Sequence, residues 1–322
     1  MNDAKALYGI WLQQVLGYGS HKAALVASRF GSAQALYEAE EAEWWLSGLF
    51  TPKELAKLQQ HSLKEAEKIL KRCLELGQTV ITLEDEEYPA RLRAIYNPPA
   101  VIFVKGAWPD WNKRVCVAIV GTRQATPYGK NLAFQFGMEL ARAGVTVVSG
   151  GALGVDSASH KGALQGGGLT VAVLGCGINT PYLAENIDLR YAISQTGALC
   201  SEYPPDTPAA GYYFPMRNRI ISGLCQGTLV VEAGRKSGSL ITANLALEQG
   251  RDVFAVPGDV RSVASCGTNE LIKSGAKLVT QAADILEEYG LTSVGADTLQ
   301  PHFKEPGAAS GVIAVIAQRE PS

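Results

Sequence analysis

From residue 115 onward the chain alternates short apolar runs with amphipathic stretches. The apolar runs fall at 115–120, 145–149, 169–174, 197–201, 228–232, 252–256 and 276–280. They are continuous rather than alternating, as expected for strands covered on both faces. Amphipathic stretches at 127–143, 155–165, 182–194, 215–224, 239–249 and 267–274 predict helices between most of them. Strand–helix–strand repetition predicts an α/β fold with a doubly wound, mostly parallel sheet. Seven such strands are too few to close an eight-fold barrel.

The first ~76 residues carry no strand signal and predict a small all-α N-terminal domain. Leu16-Gly17-Tyr18-Gly19-Ser20 predicts a tight Gly-x-Gly hairpin between two helices. Ser32 predicts a helix cap, and Thr51-Pro52-Lys53-Glu54 a cap followed by proline. Two further strands are expected at 79–83 and 100–104. After Gly290 the composition loosens into Gly, Pro, Ser and Ala, so 291–310 predicts a linker and 311–319 the start of a helix. The expected organisation is 1–76 helical, 77–290 α/β, and 291–322 linker and helix start.

Charge changes the picture little at first. Net charge is −2 over 322 residues, so binding to nucleic acid would need a local basic patch. No apolar run approaches the ~20 residues of a membrane span. The N-terminus shows no signal-peptide pattern, which makes the cytoplasm the expected location. The six cysteines are scattered without metal-ligand spacing, so buried reduced thiols are expected and no metal.

Candidate chemistry gathers in the loops after the strands, where an open parallel sheet binds its ligands. These are Gly121-Thr122-Arg123, Ser149-Gly150-Gly151, Gly175-Cys176-Gly177 and Lys236-Ser237-Gly238-Ser239. Glycines admit backbone amides to an anion, serines donate, and helix N-termini add partial positive charge. In Phe214-Pro215-Met216-Arg217-Asn218-Arg219 two arginines occupy the start of a helix, where cations are disfavoured by ~0.3–1 kcal/mol each. An anion held there, with Tyr212, Tyr213 and Phe214 alongside, would explain them: phosphate together with a stackable base.

Other sites are missing or incomplete. There is no Gly-x-x-x-x-Gly-Lys-[Ser/Thr], and Gly175-x-Gly177-x-x-Thr180 misses the third glycine of a dinucleotide fingerprint. Asp156, Ser157, Ser159 and His160 crowd one helix without a nucleophile elbow, and Asp156 is expected to pair with His160 one turn on. Glu232 ends a strand and is expected to hold an arginine or an amide in place. The Trp44-Trp45 pair is expected to pack in a core or a domain interface.

Together, Val120-Gly121-Thr122-Arg123, Ser149-Gly150-Gly151-Ala152-x-Gly154-Val155-Asp156, the stretch Phe214–Leu224 and Lys236-Ser237-Gly238-Ser239-Leu240-Ile241-Thr242-Ala243 resemble the DNA-processing protein A family, also called DprA or Smf. Tyr88-Pro89-x-x-Leu92, Val256-Pro257-Gly258 and Gly267-x-Asn269-x-Leu271-Ile272 extend the likeness over about 80–290. The N-terminal hairpin is similar to that family's helix-hairpin-helix or SAM-like domain. The resemblance implies a Rossmann-like fold and a non-enzymatic, dimeric protein without cofactor. Such proteins bind and protect incoming single-stranded DNA regardless of sequence and load the RecA recombinase in natural transformation. It assigns the phosphate pocket to Gly121, Arg123 and Arg217-Asn218-Arg219, with Phe214 stacking a base. Where some relatives carry a lysine, Gly211 and Tyr212 stand here. The family's winged helix is matched at most by Gly311–Gln318, so a truncated or absent module is expected. The competing expectation is a Rossmann-like phosphoribohydrolase of the lysine-decarboxylase-like group, whose Pro-Gly-Gly-x-Gly-Thr signature Gly227-Thr228 and Glu232 echo only in part.

Overall fold

The computed structural model describes residues 3–291. Apart from Leu291, the expected linker and helix start over 291–322 lie outside the described residues. Six helices come first: α1 (Asp3–Leu16), α2 (Lys22–Phe30), α3 (Ala33–Glu38), α4 (Glu41–Ser47), α5 (Pro52–Gln59) and α6 (Lys64–Glu75). Then follow β1 (Thr79–Thr82), α7 (Ala90–Arg93), β2 (Val101–Gly106), β3 (Cys116–Val120), α8 (Pro127–Arg142), β4 (Thr146–Ser149), α9 (Val155–Gln165) and β5 (Thr170–Leu174). The chain continues through α10 (Ile187–Thr196), β6 (Ala198–Ser201), α11 (Tyr213–Leu224), β7 (Gly227–Val230), α12 (Gly238–Glu248) and β8 (Asp252–Ala255). It closes with α13 (Cys266–Lys273), β9 (Lys277–Leu278) and α14 (Ala283–Leu286).

Nine strands form one sheet in the order β1-β2-β6-β5-β4-β3-β7-β8-β9. β3 to β9 run parallel, and β1 and β2 add an antiparallel edge against β6. The fold is therefore Rossmann-like α/β. The central strands are apolar throughout because both faces are covered. Val117 and Ile119 of β3 meet α8 and α14 residues such as Phe136, Leu140 and Ile285, whereas Cys116, Ala118 and Val120 share the other core with Ile220, Leu224 and Ala243. The strand order reverses between β3 and β7, which places the switch-point crevice at their carboxyl ends.

Local signals act as expected in several places. Ser32 accepts from the Ala35 amide, Thr51 and Glu54 form a reciprocal capping box, and Thr126 accepts from the Gly129 amide ahead of Pro127. The N-terminal helices do not stand apart from the sheet. Ile10 and Trp11 join Val80, Val101 and Phe103 in one apolar cluster. Trp44 is buried, its indole N–H donating to the Leu36 carbonyl, while Trp45 is exposed. All six cysteines are free thiols, and burial pushes Cys73 up to about 12 and Cys116 to about 11.

Candidate nucleic-acid interface

A cleft of ≈ 600 Å³ opens at the switch point, at the sheet's carboxyl edge. The turn after β3 supplies Gly121, Thr122 and Arg123, the turn after β7 supplies Ser237, Gly238 and Ser239, and α11 supplies Phe214, Arg217, Asn218 and Ile221. These four positions of α11 are i, i+3, i+4 and i+7, one face of a helix. Neither α11 nor α12 has an acidic residue in its first turn. Their positive ends therefore bear on the cleft without an internal counter-charge.

The cations differ in state. Arg123 is exposed and has no acidic partner among the described residues. Its guanidinium carbon lies 5.2 Å from the Phe214 ring centroid, a cation–π contact. Tyr182 lies 5.2 Å from the same ring on a 34° tilt, and Phe214 also closes a smaller recess lined by Gly150, Gly151 and Gly175. Arg217 is buried, and its Nη1 donates to the Gly150 carbonyl at 2.7 Å and to the Val173 carbonyl. A methyl group on Gly150 would sit 2.6 Å from Arg217 Nη1 and 2.7 Å from Asp156 Oδ2, so only glycine allows this approach. Burial lowers the Arg217 guanidinium below its ordinary value, with Asp156 opposing that shift. Burial also raises the Asp156 carboxyl, with Arg217 pulling it back.

Several expected site residues do other work. Ser149 is fully buried and donates to the Ile119 carbonyl at 2.6 Å, so its hydroxyl is spent inside the sheet. Asn218 accepts from Arg217 Nε at 3.3 Å and donates to the Gly238 carbonyl at 3.4 Å, tying α11 to α12. Lys236 is exposed in the turn before Ser237 but does not line the cleft. Arg219 is the main correction. It points away from the cleft and pairs with Glu202 at 2.7 Å, both side chains buried. Residues two apart on a helix are ~200° apart, so Arg217 and Arg219 cannot face one anion together. The acidic partner comes from the end of β6, a place the local sequence around α11 does not reveal.

Asp156 does not pair with His160. Asp156 Oδ2 accepts from the Gly150 and Ala152 amides at 3.1 and 3.3 Å, and His160 Nδ1 lies 2.7 Å from Thr170 Oγ1. Thr170 gives its own proton to the Val147 carbonyl, so Nδ1 is the donor. Glu232 holds an amide: its two carboxylate oxygens accept from the Thr126 N–H and hydroxyl, each at 2.8 Å. The sequence reading missed Glu202 and Tyr182. A glutamate directly after a buried, mostly apolar strand, as in Leu199-Cys200-Ser201-Glu202, is the signal that could have found the first.

Comparison with known proteins identifies the scaffold. DNA processing protein DprA of Bacillus subtilis is 43% identical over 221 residues, covering 69% of this chain and 74% of that protein. Protein Smf of Escherichia coli is 46% identical over 215 residues, 66% of this chain but only 57% of its own length. The solved structure of DprA from Streptococcus pneumoniae superposes with a TM-score of 0.76 at 34% identity, over 88% of this chain and 97% of that one. A Helicobacter pylori DNA processing protein A structure, described for its single-stranded DNA binding mode, superposes with a TM-score of 0.59 at 31% identity, over 66% of this chain and 95% of that one. Residues 79–290, which hold the cleft and every strand of the sheet, match the DNA recombination-mediator protein A family, and the chain belongs to it.

Proposed function

We propose that the protein binds single-stranded DNA in the switch-point cleft without regard to sequence, protects the strand, and loads a RecA recombinase onto it during natural transformation. It acts in the cytoplasm as a homodimer. The observation that carries this reading is Arg123, an exposed cation without an acidic partner among the described residues, resting on an aromatic ring between two helix N-termini. A phosphate draws Arg123 off the ring, and the uncovered Phe214 face takes a base. Stacking of this kind is worth ~1–3 kcal/mol per base and tolerates any base.

Sequence independence follows from the donors at hand. Beside the Asp156 carboxylate, which is bonded to the Gly150 and Ala152 amides, the cleft offers amides, hydroxyls and guanidinium groups suited to phosphate oxygens. Asn218, the residue best able to read a base edge, has both ends of its amide engaged. Binding needs no covalent step, and Glu232, a glutamate at a strand end beside the cleft, is occupied by Thr126.

The test is the affinity of labelled single- and double-stranded oligonucleotides across a salt series. Arg123→Ala weakens binding to all single-stranded sequences alike and lowers the slope of log K against log salt by about 0.7, one phosphate. Equal affinity for both strand forms, or an unchanged slope, would sink the assignment.

A further inference from the structure

The hairpin at Gly17–Gly19 is the other glycine turn beside α11, and its bonding differs from that of the cleft. The Gly19 amide donates to Glu202 Oε1 at 3.0 Å, the same oxygen that receives Arg219 Nη2. The Gly19 carbonyl accepts from Asn97 Nδ2 at 3.2 Å. Gly19 has φ +72°, and a Cβ there would lie 2.6 Å from Met216 Cε. Tyr18 packs against Tyr203 and Tyr213, with centroids 4.7 and 6.0 Å away. Met216 and Arg219 are i and i+3 on α11, turned away from Phe214 and Arg217, with Tyr213 at the border between the two faces.

We infer that the hairpin is a clamp on α11 rather than a DNA ligand, and that Arg219 is a positioning residue that acts on the cleft through it. This rests on the single-stranded DNA reading of the cleft. A hairpin that gripped DNA would keep its amides for phosphate, yet the Gly19 amide is spent on a buried carboxylate. Arg219 is buried, only 3% exposed, so a strand cannot pair with it without opening the joint. Glu202 Oε2, Arg219 Nε and the Tyr203 hydroxyl are buried without a partner. One carboxylate oxygen thus serves both the hairpin and the helix, and releasing either leaves a buried charge half-met. The joint fixes the rotation of α11 about its axis. That rotation sets where Phe214 and Arg217 stand in the cleft.

Arg219→Met, Arg219→Lys and Gly19→Val test it in the full chain, with single-stranded oligo-dT across a salt series and amide hydrogen exchange as readouts. Valine can neither adopt φ +72° readily nor clear Met216. Arg219 spends a single bond on Glu202, so lysine can replace it. The expected result is affinity about fivefold weaker for Arg219→Met and Gly19→Val with the salt slope unchanged, and near wild type for Arg219→Lys. Exchange at residues 150–152, linked to α11 through Arg217, speeds up in the two weak variants. A slope lowered by about 0.7 in either would mean a direct phosphate contact and overturn the clamp. So would faster exchange at the hairpin with affinity and residues 150–152 unchanged. If the wild type binds no single-stranded DNA, the cleft reading fails, and the exchange at 150–152 still decides whether the hairpin holds the cleft.

Discussion

The two faces of α11 meet the same kind of surroundings, a glycine turn and an arginine, and resolve them in opposite ways. On the hairpin face Arg219 and the Gly19 amide both donate to one oxygen of the buried Glu202 carboxylate, and Glu202 Oε2 and Arg219 Nε are left without partners. On the cleft face the turns at Gly121 and Ser237 offer donors to open space, and Arg123 has only an aromatic ring for company. Donors spent on a buried carboxylate hold the joint, and donors that face open space are free to bind. The difference lies in where the fold sends its carboxylates: Asp156, which lines the cleft, is spent on the Gly150 and Ala152 amides and leaves the turns at Gly121 and Ser237 open. β6 delivers Glu202 to the hairpin. Glu232, at the end of β7, is turned away from the cleft and held by Thr126.

Arg217 stands between these extremes, on the cleft face yet bonded like a structural residue. Arg217→Ala would break the contrast most severely. It leaves the Gly150 and Val173 carbonyls without their donor and Asp156 buried without its cation. Leaving a buried polar group without its partner costs ~1–3 kcal/mol. A urea titration at pH 7 should show a midpoint lowered accordingly, whereas Arg123→Ala should leave the midpoint in place. A stable Arg217→Ala protein that lost only DNA affinity would mean that Arg217 is a direct ligand after all.

Acid probes the floor beneath the cleft. Burial, then the charge of Arg217, lowers His160 from 6.5 to about 3. Between those values the unfolded chain binds the extra proton. The stability is therefore complete above pH 6.5 and declines as pH falls toward 3. At pH 5 the loss is about 2 kcal/mol, from ~1.4 kcal/mol per unit over roughly 1.5 units. Asp156 works in the other direction: its folded value is raised above 3.8, so its contribution is full below 3.8 and is lost as pH rises through the folded value. His160→Asn keeps a donor near Thr170 and should flatten the decline between pH 6.5 and 5 in urea titrations. A decline as steep as in the wild type would remove His160 from this account.

How much of this was legible in the sequence depends on the range of the interaction. Apolar runs such as Cys116–Val120 and Thr170–Leu174 marked the strands because burial on both faces is a local requirement on composition. Thr126-Pro127 marked the start of α8 because capping spans a few residues. That Gly121 and Arg123 stand in a turn at a strand end was legible because such a turn needs glycine wherever it sits. Arg219 was misread because its partner is 17 residues back in the chain, at the end of another strand. The expected Asp156–His160 pair failed for a related reason. Helical spacing allowed it, but the Gly150 amide and Thr170 offered better geometry.

The mildest substitution discriminates between a binding cleft and a catalytic one. Glu232→Gln keeps one oxygen for Thr126 and exchanges the other for an amide, and it removes a negative charge from the start of α8. Both effects are small, together about 1 kcal/mol. Oligonucleotide affinity and its salt slope should not move, because no Glu232 atom lines the cleft. A phosphoribohydrolase would need this carboxylate free to act on a nucleotide. Release of free base from a nucleoside monophosphate by the wild type, abolished in Glu232→Gln, would mean that the carboxylate leaves Thr126 during turnover. The contrast between the two faces of α11 would then be one between a clamp and an active site.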